Sequence, residues 1–278
     1  MRLAPLALIA FAFGACGDDD SSPADTTADT GTADVADTAA DTAVDTAADT
    51  SPAGPNWSCL PDPQRPAPTT PSLDFPVLTK SALDGSPAAG MNIQVCEGID
   101  LSCPTVTDTE VTGEDGRAIV TIPMGESGFI GYALISKEGY VDTLAMANVP
   151  IVTPRTVPVN LDVLKTNELA GIAAVLGAID DTRGHVVVGA WDCRLQPAEG
   201  VSLALAEADA STTGFYIAGA LPTTNATTTD ARGGGGFLNV PVGTAHVTAT
   251  RAADGEVIGT ASVPVVAGKI TIVVMVPN

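Results

Sequence analysis

Residues 229–249 read TDARGGGGFLNVPVGTAHVTA, a turn-rich opening followed by Val- and Thr-rich residues that favour strands. The run Gly233–Gly236 reads as a flexible hairpin turn between strands. The same order of signals stands upstream in TGEDGRAIVTIPMGESGFIGYALISKEGYV, residues 112–141. There the alternation in Arg117–Pro123 and Gly131–Ser136 is that of half-buried strands bounded by Asp-Gly and Pro-Met-Gly turns. Further out, LDGSPAAG leads into MNIQVC in the first half, and GHVVVGAWDC, AEGVSLALAE and KITIVVMVP carry the theme through the second. Each half therefore predicts a small antiparallel β-sandwich. Between them, KTNELAGIAAVLGAIDD places Leu169, Ile172, Ala173 and Leu176 at helical spacing behind a cap at Thr166 or Asn167, so a short helix is expected to join the sandwiches.

The second-half stretch, with Thr229, Asp230, Gly233, Phe237, Val240, Pro241, Gly243, Val247 and Ala249, resembles the pattern of carboxypeptidase regulatory-like domains. The first-half stretch is similar, including a strand that ends in Gly-Tyr, here Gly139 and Tyr140. The resemblance implies a mainly β fold of two transthyretin-like (prealbumin-type, Ig-type) antiparallel sandwiches. It names a fold and no reaction, because such modules accompany enzymes, receptors and adhesins without performing chemistry themselves.

The N-terminus carries a different signal. Arg2 precedes an apolar run, LAPLALIAFAF, too short to span a bilayer, and small residues lead to Cys16. FGAC resembles the lipobox of bacterial lipoproteins, which implies cleavage before Cys16, lipidation of that residue and attachment to the membrane through the lipid. Gly17 after the cysteine resembles outer-membrane lipoproteins. From there to Gly54 runs an Ala-Asp-Thr-rich segment without Leu, Ile or aromatic residues, which cannot build a core and whose like charges extend it as a spacer. Calcium capture is not expected there, since no D-x-D-x-D-G loop supplies a rigid oxygen cage; Thr and Pro richness leaves O-glycosylation open. The whole arrangement resembles a group of lipoproteins of Gram-negative bacteria, displayed from the outer membrane on its periplasmic face or the cell surface. The expected organisation is a signal peptide over 1–15, lipidated Cys16 and disordered linker over 16–54, a first sandwich over 55–164, an interdomain helix over 165–181 and a second sandwich over 182–278.

Composition limits the function classes. With 12 Lys and Arg against 33 Asp and Glu, a net charge of -21 excludes a partner held through phosphate contacts, so no nucleic acid is expected. Four cysteines remain after Cys16, an even number in an exported chain. Cys96 and Cys103 are close enough in sequence to form a local bridge, and elimination then pairs Cys59 with Cys193. No C-x-x-C and no histidine in a ligand pattern favours metal or thiol chemistry instead. Trp191, two residues before Cys193, is expected as a core ring beside that bridge.

Enzyme signatures are missing. GESGF places Gly125 and Ser127 correctly for a nucleophile elbow but puts Phe129 where the second Gly should stand. The glycine run lacks a following Lys-Ser/Thr, no H-E-x-x-H is present, and His185 and His246 each adjoin strand-like runs as structural residues. No cofactor or metal is expected. The expectation is a non-enzymatic, lipid-anchored envelope protein serving adhesion, recognition or envelope organisation, with an unknown protein or glycan partner. Its expected contact residues are Trp57 and the loop residues Asn225, Thr227 and Asp230, because small polar loops need not support a core. Carbohydrate binding is the alternative, and an enzyme with unrecognised geometry a more remote one.

Overall fold

A computed structural model describes residues 54–60, 66–154, 158–219 and 221–277. The expected signal peptide, Cys16 and nearly all of the acidic linker lie outside these residues. The chain is mainly β. The first half forms β1 (Ser72–Ser81), β2 (Asn92–Glu97), β3 (Val106–Val111), β4 (Arg117–Pro123), β5 (Phe129–Ser136), β6 (Thr143–Ile151) and β7 (Val159–Val163). Helix α1 (Thr166–Leu176) follows. The second half forms β8 (Gly184–Ala190), β9 (Val201–Leu205), β10 (Thr213–Ala218), β11 (Leu221–Thr223), β12 (Gly234–Val240), β13 (Gly243–Arg251), β14 (Val257–Val265) and β15 (Ile270–Met275).

These strands make a nine-stranded sheet, ordered β11-β10-β12-β8-β15-β6-β5-β2-β3, and two three-stranded sheets, β4-β1-β7 and β14-β13-β9. The long sheet runs through both halves. On β6, Leu144 and Met146 point into the core closed by β14-β13-β9, while Ala145 and Ala147 pack against the core closed by β4-β1-β7. Period-two alternation thus feeds two different cores from one strand. A third cluster gathers Ile172 and Leu176 of α1 with Phe215, Ile217, Leu238 and Ile270.

The antiparallel pairings expected within each half are joined by three parallel ones: β1 with β7, β8 with β15, and β6 with β15. In each half the last strand returns beside the first, a crossover that alternation in a single strand cannot reveal. The halves also share a buried anchor. The Thr112 hydroxyl donates to the Ala88 carbonyl at 2.9 Å and accepts the Met91 N–H at 3.0 Å. Thr229 does the same with Ala198 and Val201, at 2.7 and 3.1 Å.

Two local expectations are corrected. The N-cap of α1 is Lys165, not Thr166 or Asn167, because the Glu168 carboxylate reaches back to accept the Lys165 N–H at 2.8 Å. The glycine run is not a hairpin turn: Gly233 alone turns, at a φ of 66°, and Gly234–Gly236 lie buried inside β12. A Cβ at Gly235 would stand 2.9 Å from the Phe215 carbonyl oxygen and 3.1 Å from the Tyr216 ring. Glycine there admits the neighbouring backbone and rings of β10, a close approach no side chain would permit.

Candidate functional site

The segment Gly54–Leu60 straps onto the second half. The Asn56 N–H donates to Asp192 Oδ2 at 2.8 Å, the Cys193 N–H donates to the Asn56 carbonyl at 2.9 Å, and Arg194 Nη2 donates to the Gly54 carbonyl at 3.0 Å. A disulfide between Cys59 and Cys193 makes the strap covalent. Asp192 is the keystone, its side chain 1% exposed. Burial alone would raise it, but the N–H groups of Asn56, Gln196 and Arg194 and the Arg194 guanidinium outweigh that and hold its carboxyl below the usual range. Trp57 and Leu60 then pack, half-buried, against the core that also takes Cys103 and Leu134.

The second bridge, Cys96–Cys103, closes the hairpin-end loop on β2, where the Tyr132 hydroxyl donates to the Asp100 carbonyl at 3.0 Å and Ile99 stands 56% exposed. Both disulfides join the cysteines that the sequence paired. Trp191 departs from expectation. Strand β8 stops at Ala190, so Trp191 lies beyond it, half-buried, bridged to Pro197 and tied through its backbone N–H to the Met275 carbonyl at 2.9 Å.

Of the expected contact residues, Asn225 and Thr227 are exposed in the loop between β11 and β12. Asp230 instead braces that loop: Oδ2 accepts the Gly219 N–H at 2.8 Å and Oδ1 the Arg232 N–H at 2.9 Å. The Gly233 carbonyl, three residues on, accepts the Ala190 N–H at 2.7 Å. Loop, strap and C-terminal strand therefore meet at the end of β8. Trp57 has no hydrogen bond to Asn225, Thr227 or Asp230, so the structure brings them to one end of the second half without assembling them into one site.

A polar hub sits at the opposite end. Asn239, absent from sequence expectations, is an inserted bulge residue at φ 54° between Phe237 and Val240. Its side chain accepts the Asp180 N–H and donates to the Ala178 carbonyl, and its N–H donates to Nδ1 of buried His185 at 3.2 Å. Burial holds His185 below the usual histidine range. His246 is exposed and pairs with Glu207. Two cavities of about 40 and 20 Å³ share Leu164, Val187 and Ile270 as walls, with Asp162 on the first, and His185 together with Leu169 and Ile172 of α1 on the second. Each has room for water and not for an organic substrate. Burial pushes Asp162 up to about 6, against the pull of Lys80. Among the described residues no three His, Cys, Asp or Glu side chains gather as a metal site, and no helix is long and apolar enough to cross a membrane.

No family model matches the chain, and no curated protein does. Among solved structures, the shaft pilin SpaA of Lactobacillus rhamnosus GG is 11% identical over 75% of this chain and 98% of its own, with a TM-score of 0.27. A streptococcal ancillary pilin is 16% identical over 76% of this chain and 64% of its own, with a TM-score of 0.24. At these scores neither likeness carries an argument about what this chain does.

Proposed function

We propose that this is a non-enzymatic, lipid-anchored envelope protein, in which Cys16 holds the membrane, the acidic segment is the spacer, and two carboxypeptidase regulatory-like sandwiches are the displayed body. The observation that carries the reading is the strap. The spacer enters the body at Gly54 and is bonded within six residues to Cys193, so a pull on the tether passes to the second half without first unravelling β1. A tethered body that meets a partner at a distance needs such an attachment. The outer membrane is the proposed address, and adhesion or envelope organisation the proposed role, with a protein or glycan as partner. The experiment is Cys16→Ser in the full chain: the wild-type protein is expected in the membrane fraction and labelled by fatty acid, the variant soluble and unlabelled. Membrane association that survives the substitution would overturn the lipid anchor.

A further inference from the structure

The exposed apolar side chains are not spread evenly. Strands β6, β8 and β15 run parallel and finish at one end of the nine-stranded sheet; β2 and β10 finish there too, and β3, β5 and β12 start there. Most of the exposed large apolar side chains among the described residues stand at this end: Ile99, Leu101, Val106 and Ile130 at the Cys96–Cys103 loop, Leu195 in the turn after β8, and Leu221 beside the last residue of β10. The opposite end carries ion pairs instead, Lys269 with Asp142 and Arg183 with Asp209.

Two of these groups are built to stay exposed. Residues 83–90 and 193–200 align without a gap, both ending in Pro-Ala-x-Gly, and where the first turn has Gly85 at a φ of 69° the second has Leu195 at 57°. Glycine makes that turn without strain and leucine does not, so the backbone gives no reason for a leucine that stands 49% exposed. The Cys96–Cys103 loop is held in shape by more than its disulfide: the Gly98 N–H donates to the Ile130 carbonyl at 2.9 Å, and the Cys103 N–H to the Asp100 carbonyl at 3.0 Å. Its ordering is already complete and part of its backbone already bonded, which lowers the cost of taking Ile99 and Leu101 out of water.

The tether names the occupant. Residues 17–53 join the body at Gly54, and Gly54–Leu60 lies at this same end, bonded to Asp192, Cys193 and Arg194. We infer that the apolar end of the sheet rests on the lipid surface that holds Cys16, with Ile99, Leu101 and Leu195 entering the headgroup boundary. This rests on the proposed lipid anchor, which keeps that end within a tether's length of the bilayer and so populates a contact too weak to hold the free chain. Nine strands give the contact a length of about 40 Å. Exposed Glu97 and Asp100 flank Ile99, so the surface that suits it is zwitterionic, and anionic headgroups weaken the contact. Seated in this way, the protein turns the end with Lys269–Asp142 and Arg183–Asp209 away from the bilayer.

The test puts a tryptophan at each end of the full, lipidated chain. Leu101→Trp and Val242→Trp both replace exposed residues, and Val242 stands at the opposite end, between β12 and β13. Each protein is reconstituted into phosphatidylcholine vesicles with and without brominated acyl chains, and the wild type, with Trp57 and Trp191, sets the background. The Leu101→Trp chain is expected to lose most of its added fluorescence to the brominated lipid, and the Val242→Trp chain none. Adding Ile99→Ser and Leu195→Asn, asparagine being at ease in a left-handed turn, should restore the fluorescence of the Leu101→Trp chain. Replacing the unbrominated phosphatidylcholine with phosphatidylglycerol should restore it too. Equal quenching at the two ends, or quenching that grows with phosphatidylglycerol, overturns the inference and leaves the anchor standing. So does an absence of quenching at both ends while the wild type stays on the vesicles, which gives the apolar end to a protein partner or a second copy. A wild type that washes off the vesicles overturns the anchor, and the inference falls with it.

Discussion

Thr112 and Thr229 perform the same task in the two halves: each hydroxyl, buried, receives the N–H at the start of an earlier strand, β2 or β9, and donates to a carbonyl three residues before that N–H. The residues around them match, Pro-Ala-x-Gly before β2 and before β9. Valine has the shape of threonine without the hydroxyl, so Thr229→Val would strand a buried N–H and a buried carbonyl, whereas Thr112→Val would strand the Met91 N–H alone, because the Ala88 carbonyl also accepts the Thr79 hydroxyl at 2.7 Å. The expected loss is about 1–3 kcal/mol for Thr112→Val and a larger one for Thr229→Val, measured by urea unfolding. A cost near zero at either site would mean that the stranded backbone groups find other partners.

The two disulfides should differ in what their loss does. Opening Cys96–Cys103 with a double Ser substitution releases a short loop and is expected to cost about 2–3 kcal/mol, while Cys59–Cys193 closes a far longer loop and is expected to cost up to about 5 kcal/mol. Only the second loss should also free the strap. Limited proteolysis is the discriminating measurement: the Cys59→Ser, Cys193→Ser protein should be cut between Gly54 and Leu60 faster than the wild type. Equal cleavage would show that the Asn56–Asp192 and Arg194–Gly54 hydrogen bonds hold the strap without the covalent bond.

Local pattern carried much of this fold. The alternation of Arg117–Pro123 and Gly131–Ser136 became β4 and β5, and the Leu169–Leu176 spacing became α1, because periodicity reports which side of an element is buried. Pattern does not report what buries it. In the first half β3 pairs with β2, whereas its counterpart in order, β10, leaves β9 and pairs with β12 in the other sheet. The glycine run misled for the same reason: its turn-like chemistry is local, but its place in β12 depends on Phe215 and Tyr216 of a neighbouring strand. Among candidate site residues, Cys59, Cys96, Cys103 and Cys193 were legible because their number and spacing limit the pairings. Asp192, Asn239 and Asp162 were not, since each is an ordinary polar residue until distant segments close over it.

Asp162 provides a pH test of that closure. Its carboxyl lies on β7 beside a cavity walled partly by Val187, Ile270 and Ile272 of the second half, and burial pushes it up to about 6 although Lys80 draws it down. In the unfolded chain it titrates near 3.9, so between roughly pH 4 and pH 6 the folded state holds a proton that the unfolded state has released. Stability from this group is therefore fully present below about pH 4, falls as pH rises to about 6 and is level above that. A shift of about two units corresponds to at most about 3 kcal/mol. Asp162→Asn removes the titration while keeping the shape. It should match the wild type near pH 4 and exceed it by up to about 3 kcal/mol at pH 8, read as the difference between urea denaturation curves of the two proteins. Taking the difference cancels His185, whose depressed titration costs stability in the opposite direction, as pH falls below about 6.5. A variant with the same advantage at both pH values, or none at either, would show that the Asp162 carboxyl is not closed off by the second half.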